Sequence, residues 1–452
     1  MGGSPLKVVI AGGGVAAVEA LLALRRLAGD AVSVEMLAPD PRFRYRPLSV
    51  TEPFGLGVAR DLDLLEIALE HDATFLHDAL AAVDVSSRRL ATTGGRHLDY
   101  EALLLATGTR GVEAVPGALT FRDSRDGGAM RDLMVALEQG EVRRLTFAVP
   151  AGVAWPLGLY ELALLCAARV GALELDGVEL TLVTPESHPM GIFGTGASEV
   201  VAKMLDRAGI SVRTETRPLE FADGQLALSG GGAVRCDRVV ALPALEVPLI
   251  SGIPQERDGF IAVDRFGAVF GVERVYAAGD VTWFPVKQGG IAAQMADSAA
   301  SSIAALAGAD VDPQRFQPVL RGAILTEWGP RYLRTSVGEP THGDAARSVL
   351  WWPPAKVAGK YLAPYLAARA GYRVGRPALE DLSAPPGDDP GDVEGGHGDV
   401  VAMALSSAEA HARDRDFAGA MRWLEVVEDL ELYLPREYEA KRESWRGLSS
   451  SD

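Results

Sequence analysis

The chain opens on a short apolar run, "LKVVI", a glycine turn, and then "VAAVEALLALRRL", whose apolar positions recur at three- and four-residue spacing. That change of period predicts a β-strand, a tight turn and a helix, and "AVSVEML" behind them predicts a second strand. From about Ala73 to Ala106 the pattern breaks into short strands joined by tight turns, as in "VDVSSRRLATTGGRHLDY", and closes on "ALLLATG". A strand–loop–helix–strand unit is predicted from Leu145 to Thr184. A second meander follows from Arg217 to Leu242, with "ADGQ" and "SGGGA" as its turns. "ERVYAAGD" then leads into the helix "GGIAAQMADSAASSIAAL".

Beyond roughly Val311 the character changes. "LRGAILTEWGPRYLRTSVG" predicts a strand pair, followed by the aromatic segment "LWWPPAKVAGKYLAPYLAAR". "SAPPGDDPGDVEGGHGD" is a Pro/Gly/Asp linker without enough apolar surface to fold alone. The last part, "VVAMALSSAEAHARDRDFAGAMRWLEVVEDL", predicts two helices joined at a short polar turn.

Composition narrows the function classes. With 452 residues, 48% hydrophobic and 23% charged, the chain has the make-up of a globular protein of several domains. No apolar stretch reaches the roughly 18 residues of a spanning helix, and the opening lacks a basic leader and cleavage site, so no signal peptide is expected. A net charge of -17 argues against a nucleic-acid partner. The two cysteines, Cys166 and Cys236, are too far apart in sequence for a Cys-x-x-Cys pair, and with seven scattered histidines no metal site is expected. The expected setting is a reducing cytoplasm.

Candidate chemistry begins at "GGGVAA". Gly12, Gly14 and Ala17 stand at G-x-G-x-x-G/A spacing between a strand and a helix. Gly12 permits the tight turn, Gly14 lets backbone approach a pyrophosphate, and a small residue at 17 lets helix and strand pack closely. The acidic residue that would hold a ribose hydroxyl is displaced: Ala38 stands at its expected position, Asp40 two residues beyond can substitute, and Glu35 is the weaker candidate.

Together with this fingerprint, "YEALLLATGTR" and "VYAAGD" resemble the FAD-binding elements of the pyridine nucleotide-disulfide oxidoreductase superfamily, in order and approximate spacing from residue 6 to about 308. The resemblance implies an α/β chain with two Rossmann-like dinucleotide-binding domains. An FAD domain of residues 1–112 and 245–312 would be interrupted by an NAD(P)-like domain at 113–244. A C-terminal interface region (313–376), a linker (377–399) and a helical hairpin tail (400–452) complete the expected organisation. FAD is the implied cofactor. Thr107 and Gly108 would lie close to its nucleotide, and Gly279 and Asp280 at its ribityl or pyrophosphate region. The helix starting near Gly290 would aim N–H groups at the flavin pyrimidine, where reduction builds negative charge.

"RFRYRPLSVTEPFG" and "FPVKQGGIAAQMAD" are similar to the branch holding sulfide:quinone oxidoreductases and type II NADH dehydrogenases, in which a proline-bearing aromatic segment lies against the flavin; here that is Pro47 and its neighbours. At the second nucleotide site Glu161 and Ala163 match the dehydrogenase pattern, but its glycine positions fall on Ala154, Pro156 and Leu159, so NAD(P)H would bind without the glycine fingerprint. The quinone-side A-Q-x-A-x-Q motif is half present: Ala293, Gln294 and Ala296 fit, and Ser298 replaces the second glutamine. Tyr160 and Glu161 match the Tyr-Glu pair of sulfide:quinone oxidoreductases, yet Trp155 and the neighbourhood of Ile324 stand where the two sulfide-handling thiols should be. Cys166 reads instead as a packed core thiol.

Trp155 is then a pocket wall or plug near the flavin, or a core anchor of its loop. Glu161 is a carboxylate that manages protons during flavin reduction, or one favoured by the helix dipole. Lys287 balances the charge of the reduced ring, or is a solvated lysine. In the aromatic segment Trp351, Trp352, Tyr361 and Tyr365 stand among Lys356, Lys360 and Arg369, which suits a bilayer interface. Pro353, Pro354 and Pro364 and the acidic charge favour packing onto the flavin domain or a dimer contact, so peripheral contact at the inner face of a membrane stays the lesser alternative. The acidic tail can dock a protein partner. The expected function is an FAD-dependent oxidoreductase passing electrons from a small donor to a quinone-like or protein acceptor without cysteine chemistry. The alternatives are an NAD(P)H-dependent dehydrogenase, with Glu186 as ribose acid, and a flavin-binding interaction protein without turnover.

Overall fold

The computed structural model describes residues 4–369, apart from residues 60, 154, 257, 327, 328, 337–343, 347–350 and 352–354, together with residues 409, 412, 417, 424 and 436–449. The opening unit forms as expected: β1 (Leu6–Ala11), α1 (Val15–Ala28) and β2 (Val32–Ala38). Val8, Val9 and Ile10 are fully buried, because β1 is central in a parallel sheet covered on both faces. Its partners are β2 on one side and β4 (Ala102–Leu105) on the other, with β3 (Thr74–His77) and β10 (Val275–Ala277) outermost.

A second five-stranded parallel sheet takes its strands from the intervening chain. β5 (Leu119–Thr120), β9 (Arg238–Ala241), β6 (Arg144–Ala148), β7 (Glu179–Val183) and β8 (Ile210–Arg213) lie in that order. Two such sheets, each built from strand–helix–strand units, are the two-Rossmann α/β architecture expected of the resemblance. Helices α2 (Leu64–Glu70), α3 (Gly127–Glu138), α4 (Leu157–Ala172) and α5 (Thr195–Arg207) complete these regions. The chain then returns to the first sheet, and α6 (Gly289–Leu306) packs beside α1, with Gly279 wedged between Ala16 and Ala292.

The predicted C-terminal strand pair is present as β11 (Val319–Ile324) and β12 (Arg331–Ser336), and a third antiparallel strand, β13 (Asp344–Ala346), joins it. This sheet bridges both units. Gly322 lies so close to Leu157 of α4 and to Phe193 that a Cβ would overlap them. Along the outer edge of β11, Gln294 of α6 and Gln288, which caps that helix, act in place of a strand. Gln294 accepts from the Val319 N–H (2.8 Å) and donates to the Val319 carbonyl (2.9 Å), and Gln288 donates to the Arg321 carbonyl. The half-present quinone motif therefore holds its glutamine in a structural contact.

Residues 355–369 run back as a strap over the first unit and end in α7 (Leu362–Arg369). The Val357 N–H donates to the Tyr45 hydroxyl, Tyr365 donates to Glu70 (2.7 Å), and Arg369 pairs with Glu70. Of the bases expected to flank a bilayer interface, Lys356 is buried and Arg369 is paired, so the aromatic segment packs onto the first unit. Trp352, the two prolines after it and the linker 377–399 lie outside the described residues. In the tail, α8 (Arg436–Ser449) lies beyond the two predicted helices. Tyr438 and Lys441 tie it to Glu409.

Gln294→Ala leaves both backbone groups of Val319 without their partners. The expected cost is about 1–3 kcal/mol, measured by urea unfolding.

Candidate functional site

Residues 12–14 turn β1 directly into α1. Gly12 has φ 146°, and a Cβ there would overlap the Ala106 carbonyl, so no other residue closes this turn. Gly14 faces open space and begins α1 without a side-chain cap, which leaves the first N–H groups of the helix as donors to an incoming anion. Ala17 is fully buried beneath them. Thr107 and Gly108 follow β4, next to β1. The Thr107 hydroxyl is buried without a partner, and Gly108 has φ 67° beside open space.

Asp280 follows β10, the next strand along. It is half-buried and accepts no hydrogen bond among the described residues, and burial raises its carboxyl despite the nearby Lys287 and Arg46 cations. At the start of α6, Gln288 caps the Ile291 N–H (2.8 Å), which leaves those of Gly289 and Gly290 unengaged among the described residues. Pro47 opens the 3-10 turn Arg46–Phe54. A turn only glycine can make, the uncapped start of α1, the free first N–H groups of α6 and an orphaned hydroxyl converge at the carboxyl ends of adjacent parallel strands. This is the donor set an FAD pyrophosphate and ribityl chain require, and the residues fit it.

Two details differ from expectation. Asp40 is turned onto its own loop, accepting from the Arg42 N–H (3.0 Å) and Arg44 Nε (3.2 Å), so its carboxylate is engaged away from a ribose. The second is that "RYRP" supplies, besides its proline, a cation, Arg46, near Asp280. Arg46 Nε lies 3.7 Å from the buried Asp123, which also binds Arg125 and is held below the usual carboxylate range.

The equivalent turn of the second unit is closed. Residues 149–156 separate β6 from α4, and Pro156 stands at the helix start without an N–H to offer. Trp155 packs edge-on against Phe193 (5.7 Å between ring centres), and Leu159 is fully buried. Trp155 therefore anchors its loop; Ala154 lies outside the described residues. Glu186, the candidate ribose acid, accepts from the Tyr160 hydroxyl (2.6 Å) and the Thr184 hydroxyl (2.8 Å), and burial raises its carboxyl.

Glu161 is half of a buried ion pair. Its oxygens lie 2.6 and 2.7 Å from Lys356 Nζ, and one also accepts from the Leu325 N–H (3.0 Å). Burial pushes the carboxyl up and the ammonium down, and each partner opposes the shift of the other. The pair joins α4 to the end of β11 and to the strap, where Val357 presses on Gly289 at the start of α6. Lys287 is half-buried: its Nζ donates to the Thr282 carbonyl and lies 3.8 Å from the centre of the Phe260 ring. Burial lowers it to about 8, opposed by Asp280. Cys166 is buried, its thiol pushed up to about 12, and Cys236 is buried too. Among the described residues no cluster could hold a metal, and no helix is long and apolar enough to cross a membrane.

Two parallel-sheet units, an open glycine turn and a buried charge pair between them define a dinucleotide-binding redox fold. The chain belongs to the pyridine nucleotide-disulphide oxidoreductase family, which it matches over residues 6–300. It is similar to an NADH dehydrogenase-like protein of Mycobacterium tuberculosis, 30% identical over 45% of this chain and 53% of that protein. It is also similar to the peroxisomal monodehydroascorbate reductase 1 of Oryza sativa, 27% identical over 63% of each chain. The chain thus spans about half to two thirds of the length of these curated relatives. Among solved structures, the sulfide:quinone oxidoreductase of Aquifex aeolicus shares the fold, with a TM-score of 0.70, 17% identity, and 75% of this chain and 86% of that one covered.

Lys356→Met leaves Glu161 buried without its cation, at an expected cost of about 3–5 kcal/mol. Adding Glu161→Leu restores most of that loss. Urea unfolding of both variants checks the pair, and an equally unstable double variant would contradict it.

Proposed function

We propose that the chain is an FAD-dependent oxidoreductase that takes electrons from a small donor other than a fingerprint-bound nicotinamide and passes them to a quinone-like or protein acceptor. The observation that carries this reading is the contrast between the two dinucleotide turns: one is open and uncapped, the other filled by Trp155 and Pro156 with its acid enclosed. Residues 1–112 with 245–312 serve as the FAD domain in this reading, and 113–244 as a second domain retained for shape.

FAD, when bound, supplies the capacity to take up two electrons and return them singly or together. The N–H groups that start α1 hold its pyrophosphate, and Thr107 and Asp280 hold the ribityl region. The first N–H groups of α6 meet negative charge at the pyrimidine edge. Lys287, close to Asp280, adds a cation there. Glu161 and Lys356 retain a proton and a charge in a water-free wall between the domains, where an acceptor that gains protons with its electrons draws on them. Trp155 and Ile324 offer no thiol, so sulfane sulfur has no carrier. The quinone-like acceptor is supported by the sulfide:quinone oxidoreductase likeness in fold alone.

Two observations favour a second reading, in which NAD(P)H is the donor: a relative is named NADH dehydrogenase-like, and Glu186 follows β7 where a ribose acid belongs. Tyr160 must then release Glu186.

Anaerobic titration with NADH and NADPH, following flavin absorbance, separates the two. An unchanged spectrum that dithionite bleaches is expected; rapid bleaching at low nicotinamide overturns the first reading in favour of the second. A flavin reducible by dithionite but inert to every small donor and acceptor would instead indicate a binding protein without turnover. Gly12→Ala is expected to lose its flavin, read as the flavin-to-protein ratio after gel filtration.

A further inference from the structure

Glu19 and Glu161 occupy equivalent positions in the two Rossmann helices, Glu19 counted from Gly12 and Glu161 from Ala154. Both reach the same strap. Glu19 is fully buried in α1, and its carboxylate accepts from the N–H groups of Tyr361 (2.8 Å) and Leu362 (2.7 Å), which start α7. Gly359 makes room for it, since a Cβ there would overlap Glu19 Oε2.

A second carboxyl faces the first. Asp297 of α6 stands beside Glu19, and its Oδ1 is buried without a partner among the described residues. Two carboxylates cannot donate to each other, so the contact requires a proton between them. The groups acting on this pair from α1, α6 and the strap are the two carboxyls themselves and Lys360.

We propose that Glu19 and Asp297 form a one-proton latch that holds residues 355–369 on α1 and α6 and releases them as the shared proton is lost. The latch rests on the fold and not on the identity of any donor or acceptor. Release also withdraws Lys356 from Glu161, so the latch controls the buried pair between the domains.

The sign follows from burial, which raises both carboxyls, Asp297 to about 9. Undocking returns the pair to the ordinary carboxylate range and frees a proton. The docked strap is therefore most favoured at low pH and weakens as pH rises toward about 9, where the docked pair itself ionises.

The test is amide hydrogen exchange of Tyr361 and Leu362 in the full chain from about pH 6 to about pH 9, each rate corrected for the intrinsic rate. Protection in the wild type is expected to fall about tenfold per pH unit. Asp297→Asn, whose amide donates to Glu19 without titrating, is expected to give flat protection. A flat wild-type profile, or a wild-type slope in Asp297→Asn, overturns the latch. Should that variant fail to fold, Glu19→Gln removes the shared proton and is judged by the same slope. Gly359→Ala, which leaves both carboxyls in place, is expected to lower protection at every pH; wild-type protection there would overturn the contact as what holds the strap.

Discussion

The arrangement depends on a charge pair closed off from water. Glu161 and Lys356 lie 2.6 Å apart with almost no exposure, and a third contact comes from the backbone of Leu325. Neither ion would be tolerated alone in such a place, because desolvation of a single charge costs several kcal/mol. Each is present because the other is. Since they come from α4 and the strap, the second Rossmann unit, the C-terminal sheet and the first unit must meet in one geometry to satisfy them. Apolar residues would pack such a contact at least as stably, so a titratable pair beside the start of α6 suggests chemistry as well as architecture.

The two Rossmann units show how a shared fold parts from a shared ligand. In the first, Gly14 starts α1 without a side-chain cap, and the N–H groups of that helix start are the proposed site. In the second, Pro156 removes a donor, Trp155 and Phe193 occupy the space, and Tyr160 draws Glu186 inward. The strand order survives because it rests on buried apolar residues such as Phe147 and Leu182, which do not depend on what the turn binds. The glutamates at equivalent helix positions persist in both units and both serve the strap, one through a lysine and one through backbone N–H groups.

Legibility in the sequence followed the range of the interaction. The Gly12 turn, the α6 helix and the strands β1, β2, β6 and β7 were readable because periodicity and turn chemistry act within a few residues, whereas β5 and β8 went without a local signal. β13 was missed because its three residues sit among Gly and Pro, and α8 because its mostly charged sequence hides the few apolar positions it carries. Asp40 was weighed by its position in the strand–turn pattern, whereas its carboxylate answers to Arg42 and Arg44 beside it.

The sequence by itself determined the two α/β units, the open dinucleotide turn, the loss of glycines from its counterpart and the absence of a thiol pair. All of these are properties of residue type and local spacing. Only the tertiary structure decided that Glu161 would be paired, since Lys356 lies 195 residues away along the chain, and that Glu19 would hold the N–H groups of Tyr361 and Leu362. The state of a charge is set by what folding brings within a few ångströms of it and by how much water it removes. Neither quantity is written in the residues on either side.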